Sequence, residues 1–422
     1  VYLRKTCPQH GEFEAVIWRG QPAFDTWVRP KVPSFPEHPF TTVDKGCPFD
    51  CGLCPDHRQQ SCCVLFEVTQ WCDLRCPVCF AGAGSGPSAD PDMQTIEGWY
   101  RGLLQAGGPF NIQLSGGEPC MRDDLAEIIT LGHTLGFSFF QLNTNGLRIA
   151  RDASYLRRLK EAGLSTVFLQ FDGTRDAIYE ALRGRALFAQ KQAAIEQCIE
   201  QQVGVVLVPT LVPGVNAGDI GDIIRFALPR VPGVRGVHFQ PISYFGRYPA
   251  PPSDALRITI PEVIRAIEAQ THGAIHAESF APPGGENALC SFHGNFVLLP
   301  DGTLKPLTRH TPVQAECCPP AKAGARKSRE FVATHWAAPG ELIAPQAIGS
   351  GPSFGEWDVF LSRAQTHTFC ISGMAFQDAW TLDLQRLRDC YIHTASPAGR
   401  LVPFCAYNLT DQQGHALYRQ PS

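Results

Sequence analysis

Three cysteines stand within eight residues, in the run Trp71-Cys72-Asp73-Leu74-Arg75-Cys76-Pro77-Val78-Cys79-Phe80. The C-x3-C-x2-C spacing of Cys72, Cys76 and Cys79 suits three thiolates on three irons of a cubic 4Fe–4S cluster. No fourth cysteine lies at the matching distance, so one iron is open to a reactant and the cluster is fitted for chemistry. A second set lies just upstream. Cys47, Cys51 and Cys54 repeat the spacing, and Cys62 supplies a fourth thiolate, with Cys63 as the alternative. Four thiolates make a closed site that suits electron transfer or structure; structural zinc is the competing reading. His57 reads as a surface or supporting group. Cys290, Cys370, Cys390 and Cys405 are scattered through the C-terminal region, and spacing alone does not join them.

Composition favours metal over disulfides. The chain has 17 cysteines in 422 residues, and eight of them fall between Cys47 and Cys79 at two- and three-residue gaps. A disulfide framework belongs to short secreted chains, so this usage implies a reducing cytoplasm. Hydrophobic residues make up 44% and charged residues 18%, an ordinary globular balance. A net charge of −4 gives no reason to expect nucleic acid. The longest apolar run, 203–215, is broken by Pro209 and Pro213 and is too short to span a bilayer. The chain begins with Val and shows no signal peptide. Cys7 has no partner upstream, so the N-terminus reads as trimmed.

Elements must hold these residues in place. Residues 1–63 read as loops organised around metal. From Val64 an alternation begins, with strands expected at 64–69, 111–114, 138–143, 166–171, 204–210 and 236–241. Helices are expected at 94–107, 123–135, 152–162, 174–181, 187–202, 219–228 and 261–270. Strands separated by helix-length segments imply parallel βαβ units, hence an α/β barrel or part of one. In such barrels the chemistry sits at the C-terminal strand ends. There lie the three cysteines, then Ser115-Gly116-Gly117-Glu118-Pro119, then Asn143 and Asn145, then Gln170 and Asp172. Past about residue 275 the pattern breaks down. A Pro-Asp-Gly hairpin is expected over 296–304, a short strand at 401–404, and a long loop or insertion over 317–355 whose Lys322, Arg326, Lys327 and Arg329 form a solvated face. Cys198 and Cys120 read as packing residues, and Cys317 and Cys318 have no evident partner.

The cysteine triad after the first strand, followed by Gly-Gly-Glu-Pro after the second, resembles the radical S-adenosylmethionine (SAM) superfamily. That resemblance implies a partial (β/α)6 barrel. It implies that Cys72, Cys76 and Cys79 ligate the cluster whose open iron chelates SAM, and that reductive cleavage of SAM yields a 5′-deoxyadenosyl radical. Phe80 would pack near the adenine. Ser115, Gly116, Gly117, Glu118 and Pro119 match the stretch that takes the SAM amino group, where bare backbone allows close approach and a carboxylate suits an ammonium. Asn143, Asn145, Gln170 and Asp172 would face SAM or substrate, or cap loops.

The run 47–79, Pro-Leu-Thr-Arg at 306–309 and Pro-Phe-Cys-Ala-Tyr-Asn at 403–408 resemble, more narrowly, the tetraether-lipid-synthase and class D radical SAM methyltransferase group. This implies two auxiliary 4Fe–4S clusters, the second held by Cys290, Cys370, Cys390 and Cys405, and a rubredoxin-like N-terminal metal site of which Cys7 is the remnant. Group members often carry another cysteine shortly after the position of Cys290; here Ser291-Phe292-His293 follows, and His293 is a weak substitute. The division expected is 1–63 for the first auxiliary cluster, 64–275 for the barrel and 276–422 for the second. The implied activity is bond formation, by coupling or alkyl transfer, at an unactivated carbon of a lipid or small molecule. The electron donor would resemble flavodoxin or ferredoxin. Transfer of the 3-amino-3-carboxypropyl group of SAM to arsenic or sulfur, and peptide maturation, are the alternatives.

Overall fold

The computed structural model describes residues 1–84, 90–310, 318–339, 355–411 and 414–419. The strands are β1 (Tyr2–Cys7), β2 (Gly11–Val16), β3 (Cys63–Thr69), β4 (Asn111–Gly116), β5 (Phe140–Thr144), β6 (Thr166–Gln170), β7 (Gly204–Val208), β8 (Thr210–Leu211), β9 (Val234–Pro241), β10 (Ser291–Leu298), β11 (Leu304–Pro306), β12 (Thr368–Met374), β13 (Ile392–Ala395) and β14 (Leu401–Pro403). The helices are α1 (Met93–Gln105), α2 (Leu125–Thr134), α3 (Leu147–Arg151), α4 (Ala153–Glu161), α5 (Asp176–Arg183), α6 (Phe188–Glu200), α7 (Ile220–Ala227), α8 (Ile260–Gln270), α9 (Ala321–His335), α10 (Glu356–Thr366), α11 (Leu384–Arg388) and α12 (Phe404–Asn408).

Six parallel strands, β3-β4-β5-β6-β7-β9, form the body of the sheet, a partial (β/α)6 barrel. Their side chains alternate with the two-residue strand period. Val64, Phe66 and Val68, then Ile112 and Leu114, Leu142, Val167 and Leu169 belong to one buried apolar core under the helices. The alternate positions, including Leu65, Glu67, Gln113, Gln141, Asn143, Phe168, Gln170 and His238, line the other face. The helices are capped by their own sequence. The Asp92 and Asp152 carboxylates accept from the first turns of α1 and α4, and Thr259 with Glu262 forms a capping box on α8.

The C-terminal region extends the same sheet at both edges. β12 lies parallel beside β9, with Cys370 opposite Gly236, and β13 lies parallel beside β3, with Ile392 opposite Cys63. The described strands of residues 276–422, β10 to β14, therefore belong to the barrel's sheet. A buried ion pair fastens one edge: Arg257 Nη1 meets Asp378 Oδ2 at 2.8 Å, and Tyr244 N donates to the same oxygen at 3.0 Å.

Two stretches differ from expectation. Residues 1–63, read as loops, open with an antiparallel hairpin, β1–β2, in full register from Tyr2–Val16 to Cys7–Gly11. Only Ala15 and Val16 of its strand residues are buried, so it lacks the buried apolar face by which a strand shows in sequence. The segment 317–355, read as a loop, contains α9. This helix buries only Ala321 and Ala325, so it carries no apolar stripe to betray it. Trp336, just past its end, stacks on Phe168 of the barrel wall at 5.3 Å, and Arg235 holds the His335 carbonyl at 2.8 Å. Cys317 lies outside the described residues.

Candidate active site and thiolate sites

The loop carrying Cys72, Cys76 and Cys79 leaves the C-terminal end of β3 and is strapped from across the barrel. Cys79 and Arg247 exchange both backbone hydrogen bonds at 2.9 Å. The Arg247 side chain donates to the Cys76 carbonyl and to the Ala83 carbonyl, each at 2.9 Å. The three cysteines pack with Leu74, Leu147, Tyr179 and Leu187. Burial pushes the Cys72 thiol up to about 12, so at neutral pH it becomes a thiolate only when a metal takes the proton's place.

The Gly-Gly-Glu stretch sits against the start of this loop. Gly117 N donates to the Thr69 carbonyl at 2.8 Å and Glu118 N to the Trp71 carbonyl at 2.7 Å. A Cβ on Gly116 would stand 2.2 Å from the Thr69 oxygen, and one on Gly117 2.2 Å from the Trp71 oxygen. The glycines are therefore required by the packing of one loop on the other, whatever they offer a ligand. Glu118 is buried and already engaged: Thr144 Oγ1 donates to Oε1 at 2.6 Å, Cys120 N to Oε1 at 3.0 Å, and Asn145 N to Oε2 at 2.6 Å. Burial raises its pKa against these bonds. Its carboxylate ties the end of β4 to the end of β5. Ser115 and Pro119 are buried beside it.

The remaining predicted positions divide. Asn145 Nδ2 donates to Asp73 Oδ1 at 2.7 Å, inside the cysteine loop. Asn143 accepts from Gln141 Nε2 at 2.7 Å on the barrel's inner wall. Asp172 is fully buried and paired with Arg183, whose Nε and Nη2 meet its two oxygens at 2.7 and 2.8 Å; Gln170 Nε2 donates to the same carboxylate. Arg183 is also within electrostatic reach of Cys76; burial works against its charge, but the Asp172 pair prevails and its pKa is raised. Lys191 Nζ donates to the Asn145 carbonyl at 2.5 Å and Gln170 Oε1 at 2.7 Å, and burial lowers its pKa to about 8. Two buried cations thus stand behind the cysteine loop, and sequence reading missed both. Lys191 carried a signal: it lies on the same helical stripe as Ala194, Ile195 and Cys198, an apolar face on which a lysine is out of place.

Phe80 does not stand alone. Its ring lies 5.7 Å from Phe404, which packs on Phe376 at 4.5 Å and Phe245 at 6.1 Å. This aromatic group joins the cysteine loop to the helix bearing Cys405.

The other thiols fall into two groups. Cys47, Cys51 and Cys54 interact with one another: a hydrogen bond to Cys47 and burial raise Cys51, and Cys47 is met by Arg388. Cys290, Cys390 and Cys405 form the second group, with Arg386 against Cys290 and Cys405. One predicted ligand is not brought to the others of its set. Cys370 faces Ser372 and Trp336, opposite Asn295 on β10, while Ser291, next to Cys290, pairs with Met374 four residues further along β12. The strand rise of about 3.3 Å per residue thus separates Cys370 from Cys290 by more than a cluster's width. Cys62, expected with Cys54, has its thiol beside that of the next residue, Cys63, whose Sγ accepts from Gln113 Nε2 at 3.3 Å. Residue 62 is held there because its backbone N–H donates to the Tyr391 carbonyl at 2.7 Å. His57 is buried, not superficial; its Nε2 donates to the Cys390 carbonyl at 2.8 Å, and burial holds its pKa to about 4. His293 is also lowered to about 4 by burial and lies on β10 opposite Ser372.

Buried thiols faced by arginines fit iron–sulfur clusters, whose thiolate-ligated cores are anionic. No three His, Cys, Asp or Glu side chains among the described residues converge as closely as a single metal ion requires. A cubane spreads its thiolates around a larger core.

The profile of the radical SAM superfamily matches residues 66–227. The 7,8-dihydro-6-hydroxymethylpterin dimethyltransferase of Methanocaldococcus jannaschii is 36% identical, over 98% of this chain and 89% of that protein. The chain belongs to the radical SAM superfamily. It is an enzyme, and membership brings with it a 4Fe–4S cluster and SAM. The mitochondrial GTP 3′,8-cyclase of Arabidopsis thaliana, 30% identical, covers 42% of this chain and 46% of that one. Among solved structures, Streptococcus suis SuiB bound to S-adenosylmethionine is 16% identical and covers 46% of this chain and 44% of that one at a TM-score of 0.37. The HMPTM N-terminal zinc ribbon domain matches residues 1–19, the β1–β2 hairpin, where Cys7 Sγ and His10 Nδ1 lie 3.2 Å apart. Among the described residues no helix is long and apolar enough to cross a membrane.

Proposed function

We propose that this radical SAM enzyme forms a new bond at an unactivated carbon of a reduced pterin, as a methyltransferase. The observation that carries the reading is the full-length relationship to a protein named as a dihydropterin dimethyltransferase, in a chain whose triad of cysteines stands at the mouth of the barrel. Cys72, Cys76 and Cys79 would hold the catalytic cluster, which when bound passes an electron to SAM. The Arg247 strap fixes the loop that carries them, and Arg183 lies against Cys76. Asn145 anchors Asp73 within the loop, and Glu118 locks the neighbouring strand end.

Two auxiliary clusters complete the assignment. Cys47, Cys51 and Cys54 hold one. Cys290, Cys390 and Cys405 hold the other, with Cys63 as its fourth thiolate in place of Cys370. The two arginines of α11 serve one group each, Arg388 at Cys47 and Arg386 at Cys290. The electron donor is a small carrier of the flavodoxin or ferredoxin kind, and the setting is cytoplasmic.

The reading is tested by anaerobic reconstitution followed by dithionite and SAM. Release of 5′-deoxyadenosine is expected. Release of methylthioadenosine alone would instead support transfer of the aminocarboxypropyl group.

A further inference from the structure

We propose that Glu67 is the anchor for the pterin ring, and that Arg419 holds its place in the unliganded chain. This rests on the pterin reading above. Glu67 lies on the inner face of β3, five residues before Cys72, and is almost wholly buried. Both its oxygens are engaged by one guanidinium: Arg419 Nη1 donates to Oε2 at 2.8 Å and Nη2 to Oε1 at 2.6 Å. Gln70 Nε2 and Tyr407 OH reach Oε2 at 3.2 and 3.4 Å, and Asn408 Oδ1 accepts from Arg419 at 2.5 Å.

The chemistry of that fork matches the pterin. A guanidinium presents two parallel N–H donors on an N–C–N edge, and a carboxylate takes them as a pair. The 2-amino-4-oxopyrimidine half of a pterin presents the same edge through its ring N3–H and its exocyclic amine. A carboxylate shaped for one is shaped for the other. The surroundings suit a flat heterocycle as well. Leu65, two residues before Glu67, packs with Phe80, Phe245, Phe376 and Phe404, offering ring faces next to the cysteine loop. Further along the inner wall, Gln141 is buried, and its Oε1 accepts no hydrogen bond among the described residues.

The origin of Arg419 distinguishes this pair from Asp172–Arg183, another buried ion pair of the barrel. Asp172 is met by Arg183 from the next helix of the same βα unit. Glu67 is met from 352 residues away, by a C-terminal segment past α12 that is pinned through Tyr418, whose hydroxyl donates to the Pro48 carbonyl. A carboxylate this buried cannot be left unpaired, so exchange of Arg419 for the pterin edge is one for one.

The test is the affinity of the anaerobically reconstituted enzyme, with SAM present, for 6-hydroxymethylpterin, read by quenching of the pterin's fluorescence. Glu67→Gln, which cannot pair with two donors, is expected to weaken binding by about tenfold or more at wild-type iron content. Arg419→Ala is expected to tighten it severalfold by removing the competitor. Equal affinity in wild type and Glu67→Gln, or an Arg419→Ala variant that binds more weakly than wild type, overturns the assignment while leaving the pterin reading standing. A wild-type enzyme that binds no pterin overturns both.

Discussion

Asp172 exposes nothing to solvent, and Arg183 meets it through two nitrogens within electrostatic reach of Cys76. Removing one partner leaves a buried charge uncompensated, so Arg183→Met is expected to cost about 3–5 kcal/mol, measured by chemical denaturation. Asp172→Asn together with Arg183→Met should recover much of that loss, because neither charge remains. The thiols yield a sharper prediction. Reconstituted wild type should carry about twelve irons per chain, three clusters of four. Cys390→Ser should lower this by about four, whereas Cys370→Ser should leave it unchanged. The triads were legible in sequence because neighbouring cluster ligands on one loop need short, fixed gaps. The second auxiliary set was not. The thiols proposed for it, three of which the family resemblance named, come from the start of β3, the start of β10, the turn before β13 and α12; the pairing of β13 with β3, Ile392 opposite Cys63, sets Cys390 near Cys63.

The loop after β4 works at the scale of elements, where two backbones approach without side chains between them. Gly117→Ala would push a Cβ into the Trp71 carbonyl, and backbone on both sides leaves little room to yield. Because Trp71 adjoins Cys72, the expected result is loss of about four irons, the catalytic cluster's share, with the auxiliary clusters retained in the visible spectrum. The βα alternation from residue 64 to 270 was readable, since buried parallel strands such as Gly204–Val208 are continuous apolar runs between amphipathic helices. α9 was not, because it covers the barrel with two alanines and a terminal tryptophan and has no apolar stripe.

Across the whole molecule, the buried histidines set its response to acid. His57, His238 and His293 are each held to about 4 by burial. The unfolded chain protonates them near the ordinary value of 6.5, so between about 6.5 and about 4 it binds more protons than the folded chain. Stability therefore falls as pH drops through that window. His238 hydrogen-bonds Ser372 across the β9–β12 joint at 2.9 Å. His238→Gln should reduce the loss between pH 7 and pH 4 by roughly 2–3 kcal/mol, measured by denaturation at each pH. The same joint carries the Arg257–Asp378 pair, so the C-terminal region and the barrel should unfold in one transition.

The most direct test supplies the reconstituted enzyme with SAM, dithionite, a separate methyl source (a second equivalent of SAM, leaving as S-adenosylhomocysteine, or a one-carbon-loaded reduced folate) and 7,8-dihydro-6-hydroxymethylpterin, and follows 5′-deoxyadenosine and the pterin by mass spectrometry. The account predicts 5′-deoxyadenosine together with a pterin that has gained one or two methyl groups, both abolished in Cys76→Ala. An unmodified pterin beside methylthioadenosine, or products unchanged in Cys76→Ala, would contradict it.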